Sequence, residues 1–403
     1  MYTCGITPYD TTHLGHAFTY TSVDILVRYL EYLGSRVRYV QNVTDIDDDL
    51  LKRAGETGED WILLGNRWSS HFIDDMVSLN VRPPDVLPRA TDVIQEIISA
   101  VARLVDCGVA YVSGGSVYYA IDRFEDYGNL SKLSYEEMGP IAAERGNKPG
   151  DPHKRDPLDF VLWQAQALGE PAWESPWGPG RPGWHIECST MADKYLGNTL
   201  DVHAGGSDLI YPHHESEIAQ AEACDPMARF VRQWMHVAMV HHEGEKMSKS
   251  LGNLVMVRDL LEDWTADTLR LVLASHHYRE VWAFDPAELK AMAALEGKLR
   301  HALSATGGPR SGFGILPFVD AFERAMESDL DSPRAISALE SFSEGLLAGA
   351  SQGLEVGAGQ DRLRILARTL GLLLDQTDPE AGVTSGWAEH ALRFQWETIA
   401  GKE

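Results

Sequence analysis

Apolar and polar positions along this chain change period several times, and each change marks an element. Tyr2–Ile6 reads as a short strand, followed by a turn at Pro8, Tyr9 and Asp10. From His16 onward Val23, Leu26, Val27, Leu30 and Leu33 recur at helical spacing, and Gly34 suits a C-terminal cap. Residues 37–43 return to a β-branched strand, which predicts a β-α-β unit with a parallel pair. Asp45, Asp47 and Asp48 then fall at the carboxyl end of that strand, where open α/β sheets place their ligands. The same carboxylates equally suit helix capping in a solvated turn.

The pattern differs from about residue 56 to 151. Residues 93–105 are periodic enough for a helix, and residues 110–121 predict a small hairpin around Gly114 and Gly115. Residues 145–155 read as a Gly/Pro/Lys-rich loop. Strand-turn-helix character returns from Asp159, through residues 184–188, to 199–203. After a Gly-rich linker, residues 318–347 and 362–374 predict amphipathic helices of a bundle. The expected fold class is α/β: a Rossmann-like parallel sheet with an inserted helical and hairpin subdomain and a C-terminal helical bundle. The units expected are 1–55 and 159–235 for the two sheet halves, 56–158 for the insertion and 236–304 for a loop and helical region. A linker at 305–317 and the bundle at 318–403 complete them.

The bulk numbers add limits. The chain has 403 residues, a formal net charge of −25 and four cysteines. The charge has the wrong sign for broad phosphate-backbone binding, although a local basic groove remains compatible with it. Cys4, Cys107, Cys188 and Cys224 are too scattered for a disulfide framework. Packing is the expected role of Cys107 and Cys224. With no apolar run near the length of a membrane span and no charged-then-apolar leader, the expectation is a cytoplasmic protein without a membrane partner, by default a monomer.

Two short segments carry most of the chemistry. His13-Leu14-Gly15-His16 opens the first helix, and a glycine between two histidines lets a nucleotide approach the backbone while the imidazoles reach its phosphates. Lys246-Met247-Ser248-Lys249-Ser250 lies between Gly244 and Gly252, and its two lysines suit charge developing on a pyrophosphate leaving group. In this order the pair resembles the HIGH and KMSKS segments of class I aminoacyl-tRNA synthetases. Gln41-Asn-Val-Thr-Asp-Ile-Asp-Asp48, Gly183-Trp-His-Ile-Glu-Cys188 and the stretch from Gly205 to Glu217 narrow the resemblance to the cysteine-activating branch. That branch holds cysteinyl-tRNA synthetase and the mycothiol-pathway cysteine ligase, and the likeness runs from Met1 to about Asp375.

The resemblance implies a class I synthetase fold, ATP with Mg²⁺, L-cysteine as substrate, and one zinc ion held by Cys4, Cys188, His213 and Glu217. His213 and Glu217 stand at i and i+4 after Pro212, which favours a first helical position and puts both on one face. Cys4 and Cys188 are expected on or beside strands. Zinc would take a cysteine thiolate and refuse a serine hydroxyl, giving selectivity without an editing site. His13, His16, Lys246 and Lys249 would be catalytic. Gly15, Gly206, Asp208 and His236 would join them around ATP and the adenylate, while Cys4, Thr44 and Trp184 would line the cysteine pocket. Read without the resemblance, Gly205-Gly206-Ser207-Asp208 is a turn and Trp184 a core residue.

The acceptor is divided. Ile6-Thr-Pro-Tyr-Asp10, Gly252-Asn-Leu-Val255 and Asp49 resemble the mycothiol-type ligase, whereas residues 157–163 and the Glu217 ligand resemble cysteinyl-tRNA synthetase. Few bases follow Ile315, and Phe394 and Trp396 suit packing better than base stacking. The sequence reading therefore favours the amine of glucosaminyl-inositol, with tRNA-Cys as the alternative acceptor and a non-catalytic paralogue as a remote third.

Overall fold

The computed structural model describes every residue except 10–11, 226, 248–251, 375–378 and 401–403; the side chains of Lys246, Ala381 and residues 395–400 also lie outside it. Strand β1 (Tyr2–Ile6) leads to helix α1 (Leu14–Tyr32) and returns as β2 (Val40–Val43), parallel to β1 with Tyr2 opposite Val40. The helix ends before Gly34, which takes a left-handed φ of 86° as its cap role requires. β2 is shorter than the predicted 37–43 because the Asp85 side chain accepts from Tyr39 N–H at 2.7 Å, so that position pairs with a loop. Asp45, Asp47 and Asp48 follow, and all three are engaged locally. Asp45 accepts from Thr91 N–H at 3.0 Å, Asp47 caps α2 (Asp48–Thr57), and Asp48 pairs with Arg181.

The insertion continues through α3 (Trp61–Ser78), capped by Asp60, and α4 (Ile94–Asp106), whose Ile94, Ile97, Ile98, Val101 and Leu104 form one buried face. The predicted hairpin is present as β3 (Ala110–Ser113) and β4 (Ser116–Tyr119), turning at Gly114 and Gly115. After α5 (Tyr135–Glu144), β5 (Phe160–Ala165) and β6 (Gly180–Pro182) extend this hairpin into an antiparallel sheet ordered β3-β4-β5-β6. The boundary expected at 158/159 thus falls inside the sheet of the insertion. A fully buried strand such as β5, with Leu162 and Trp163 inaccessible, has the same apolar pattern whichever sheet it joins.

Helix α6 (Trp184–Leu196) carries Cys188, so that cysteine sits on a helix and not beside a strand as expected. β7 (Leu200–Gly206), α7 (Glu215–Glu222) and β8 (Val231–Val237) complete the main sheet, which is wholly parallel in the order β2-β1-β7-β8. Successive strands are added in opposite directions from β1 and from β7, and such a switch point in strand order opens a crevice at the strands' carboxyl ends. A small sheet of β9 (Val240–His242), β10 (Glu245–Lys246) and β11 (Trp282–Ala283) lies beyond, with α8 (Val257–Asp263) and α9 (Ala266–Ala274) between its last two strands.

Helices α10 (Pro286–Ser304), α11 (Leu316–Glu327), α12 (Ser332–Ser351) and α13 (Gly357–Thr369) form the bundle around Phe322, Phe342, Leu346 and Leu366. The single helix predicted over 318–347 is two, because Asp329 and Leu330 take positive φ and Asp331 caps a new start. Helix α14 (Ala381–Ala400) leaves the bundle and packs on α3, burying Trp387 and Phe394 in the core of the main sheet. Arg89 lies over the Phe394 ring at 4.3 Å, so that ring packs, as the sequence reading preferred; the Trp396 side chain is outside the described residues. Among the described residues no helix is long and apolar enough to cross a membrane.

Two expectations about cysteine change. Cys107, at the end of α4, and Cys224, just past α7, form a disulfide with S–S 2.07 Å. Their sequence separation of 117 carries no spacing signal, because they meet only through the packing of α4 and α7 on α6.

The bundle is fastened to the sheet by one buried guanidinium. Arg270 on α9 donates to Asp24 on α1 at 2.5 Å, to Leu79 O at 2.8 Å and to Leu370 O at 2.8 Å. Burial alone would raise the Asp24 carboxyl, but Arg28 and Arg270 outweigh it and hold the group below its ordinary value. Gly371, at φ 74°, leaves the guanidinium its space: a Cβ there would stand 2.0 Å from Arg270 Nη2. Gly371→Ala is therefore expected to cost on the order of 3–5 kcal/mol by dislodging a buried pair, read as a lower midpoint in thermal denaturation. Asp24's contribution is complete above the ordinary carboxylate range and is lost as pH falls through its lowered folded-state value. Acid unfolding followed by circular dichroism should accordingly have a shallower limb in Asp24→Asn than in the parent.

Candidate active site and metal centre

A cavity of about 1030 Å³ occupies the crevice between β1 and β7, walled on one side by the insertion. His13, Gly15 and His16 line it from the N-terminus of α1. His13 is itself the cap residue: its Nδ1 accepts from Gly15 N–H at 3.1 Å, which leaves Nε2 as the N–H of the neutral ring. The two imidazoles stack with centroids 3.9 Å apart. A side chain at position 15 would bring Cβ within 2.9 Å of the His13 ring, so glycine is what allows the stack and an open helix end. An anion here meets imidazole groups at the positive end of the α1 dipole.

On the opposite wall, Gly206 ends β7 and Asp208 follows in a short 3₁₀ turn; both line the cavity. Asp208 pairs at 3.3 Å with Arg145, which reaches over from the end of α5 in the insertion. Thr44 and Trp184 also line the cavity, as expected. Thr44 is buried and accepts from Asn42 at 3.2 Å. Trp184, the first residue of α6, lies over the His213 ring with centroids 4.4 Å apart. His236 is not among the described residues lining the cavity. Its Nε2 meets His214 Nδ1 at 2.9 Å beneath the floor, and burial pushes it down to about 4. Lys249 falls outside the described residues, as does the Lys246 side chain, although β10 places the backbone of Lys246 beside His241.

The floor of the cavity holds the cluster that the resemblance implied. Cys4 comes from β1, Cys188 from α6, and Glu217 from α7, while His213 comes from a π-type turn at 210–214 just before it. Pro212 lies within that turn and is not the first residue of the helix, yet His213 and Glu217 still converge. Donor atoms of all four lie within 4.8 Å of one another. The two Sγ atoms are 3.9 Å apart, against about 3.8 Å for the edge of a tetrahedron with zinc–sulfur bonds of about 2.3 Å. His213 Nε2 and Glu217 Oε1 are also 3.9 Å apart, and neither has a hydrogen-bond partner among the described residues although both are buried.

The electrostatics fit a bound cation. Burial pushes the Cys4 thiol up, with the Cys188 thiol adding to the effect, and burial likewise raises the Glu217 carboxyl. His213 is driven well below the usual imidazole range by burial, then by His185 and His203. Neutral imidazoles and soft thiols converging on one point fit a zinc ion, whose charge would reverse the penalty on thiolate and carboxylate. Sequence reasoning missed the histidines around this set. His203 holds Glu217 Oε2 at 3.0 Å, His185 Nδ1 meets His213 Nδ1 at 3.0 Å, and His214 Nε2 lies 3.4 Å from Cys4 Sγ. Cys4, His203, His214 and Glu217 even form a second converging set. The tandem His213-His214 and a histidine inside the predicted strand at 199–203 were the only signals.

With this geometry in hand, the comparisons are direct. Residues 1–294 match the model of the tRNA synthetases class I (C) catalytic domain. The cysteine–tRNA ligase of Vibrio atlanticus is 44% identical over 387 residues, covering 94% of this chain and 82% of that protein. The chain belongs to the class I cysteinyl-tRNA synthetase family. Its relative in Escherichia coli O17:K52:H18, also a cysteine–tRNA ligase, is 44% identical over 389 residues, covering 96% of this chain and 83% of its own length. In fold the family member also resembles Mycobacterium tuberculosis methionyl-tRNA synthetase in complex with methionyl-adenylate. There the TM-score is 0.66 at 17% identity, covering 95% of this chain and 92% of that one.

A chelator should lower the thermal midpoint, since it would leave His213 Nε2 and Glu217 Oε1 buried without a partner among the described residues, and added zinc should restore it. In Cys188→Ala the zinc-dependent shift should disappear. A midpoint indifferent to zinc in the parent would count against the centre.

Proposed function

We propose that this chain is a zinc-dependent cysteine–tRNA ligase that activates L-cysteine with Mg-ATP and passes it to the 3′ end of tRNA-Cys. The observation that carries the reading is the four-donor cluster on the floor of the same cavity whose rim is His13-Leu14-Gly15-His16. The acceptor reading moves from the amino sugar, preferred on sequence, to tRNA. Relatives bearing the tRNA-charging name are 41–44% identical over 94–96% of the chain, which supports that change.

In the proposed first step the cysteine carboxylate attacks the α-phosphorus of ATP in line. A carboxylate oxygen–phosphorus bond forms as the bond to pyrophosphate breaks. His13 donates through Nε2–H to the phosphates, and His16 stacks behind it. The α1 dipole adds its positive end, and Lys246 and Lys249 would offset charge on the departing pyrophosphate. Asp208, Gly206 and Gly15 line the adenylate's side of the cavity. Thr44 and Trp184 shape the substrate pocket, with Trp184 excluding water above His213. Cys4, Cys188, His213 and Glu217 would hold zinc, which when bound supplies a soft Lewis-acid site that prefers a thiol to a hydroxyl. His236, held against His214, would orient the ligand layer and not touch adenine. The reading makes the protein a cytoplasmic monomer using ATP and tRNA.

Cysteine-dependent exchange of pyrophosphate into ATP, with serine inert, is the expected activity, and His13→Ala should lower its rate about 100- to 1000-fold. AMP release should then follow addition of tRNA-Cys. Transfer to glucosaminyl-inositol with none to tRNA would overturn the acceptor, and absence of exchange in zinc-loaded protein would overturn the activity.

A further inference from the structure

The start of the HLGH helix is bridged by the main chain to residues 255–257. Thr12, His13 and Leu14 run antiparallel to residues 255–257, which follow the lysine-bearing segment. Leu14 N–H donates to Val255 O at 2.8 Å, Val257 N–H donates to Thr12 O at 3.3 Å, and His13 bridges Met256. Those contacts are short and sit at the cavity's edge, so alone they would fray.

Behind them lies a buried carboxylate from a third element. Asp75, on the last turns of α3, is almost inaccessible. Its Oδ1 accepts from Arg258 Nη2 at 3.1 Å, and Arg258 is the second residue of α8, next to Val257. The Thr12 hydroxyl sits beside the same carboxylate and favours its charge, against burial, which raises the group. Thr12 immediately precedes His13, the cap of α1. A single charge is thus set between the residue before one segment and the residue after the other's return. A buried carboxylate held by one charge-assisted bond is a costly arrangement unless it fixes something. Asp75 Oδ2 has no hydrogen-bond partner among the described residues, so the Thr12 hydroxyl and the Arg258 guanidinium together offset the burial of this carboxylate.

We propose that Asp75 and Arg258 are positioning residues for adenylate formation, clasping the chain after the lysine-bearing segment against the start of the HLGH helix. Neither touches ATP. They set the position of residues 255–258 relative to His13, and a displacement near 1 Å in a reacting geometry is enough to cost about 100-fold in rate. The clasp deepens the proposed ligase activity and rests on it, so its test carries one readout that does not.

Asp75→Asn and Arg258→Gln should each lower the kcat of pyrophosphate exchange ~10- to 100-fold, leaving the KM for cysteine within about 2-fold. The double variant should be no slower than the slower single variant, because both changes open the same clasp. Arg258→Lys should recover part of the rate. Hydrogen exchange by mass spectrometry should show faster exchange in peptides spanning 12–16 and 252–258 in both single variants, with the bundle unchanged. Multiplying effects in the double variant, or unaltered exchange in those two peptides, would overturn the clasp. If the parent protein activates no cysteine, the functional reading fails and the hydrogen exchange alone decides the clasp.

Discussion

Four polar side chains are buried together, and two of their atoms, His213 Nε2 and Glu217 Oε1, have no hydrogen-bond partner among the described residues. Cys4 and Cys188 bring thiols, His213 a neutral imidazole and Glu217 a carboxyl, and their donor atoms face one point from three packed layers. Unpaired polar groups in such a place destabilise a fold by amounts comparable to its whole margin. The arrangement makes sense when a divalent ion of soft character supplies the common partner. The surrounding histidines then fix tautomers and ring orientations, as His185 does for His213 and as His203 does for the second oxygen of Glu217.

The rest of the site follows from where the sheet changes direction. β1 ends at Ile6 and β7 at Gly206, and they are neighbours whose connections leave in opposite senses. His13, Gly15 and His16 line the crevice, and Cys4, Cys188 and His213 line it too. The insertion closes the third side through Arg145 and its contact with Asp208.

What could be read in advance was whatever depends on neighbours in sequence. The β1-α1-β2 unit, the Gly34 cap and the Gly114-Gly115 hairpin are local, and they stand as expected. The donor set needed the family resemblance, since Cys4 and Cys188 are 184 residues apart and look like ordinary buried cysteines. Pairings that exist only in three dimensions were illegible: β5 beside β4, Cys107 with Cys224, and Asp75 with Arg258, 183 residues away. His203 and His214 escaped for another reason. A histidine on a buried strand or beside a ligand histidine has no distinguishing period, and only the geometry reveals that its ring faces Glu217 or Cys4.

Zinc K-edge X-ray absorption on the purified protein tests the account at its root. The predicted first shell has two sulfur scatterers at about 2.3 Å and two nitrogen or oxygen scatterers at about 2.0–2.1 Å, from Cys4, Cys188, His213 and Glu217. A shell with a single sulfur would point to the set built on His203 and His214. A shell with no sulfur, or protein that retains no zinc, would contradict the centre from which the selectivity argument is drawn.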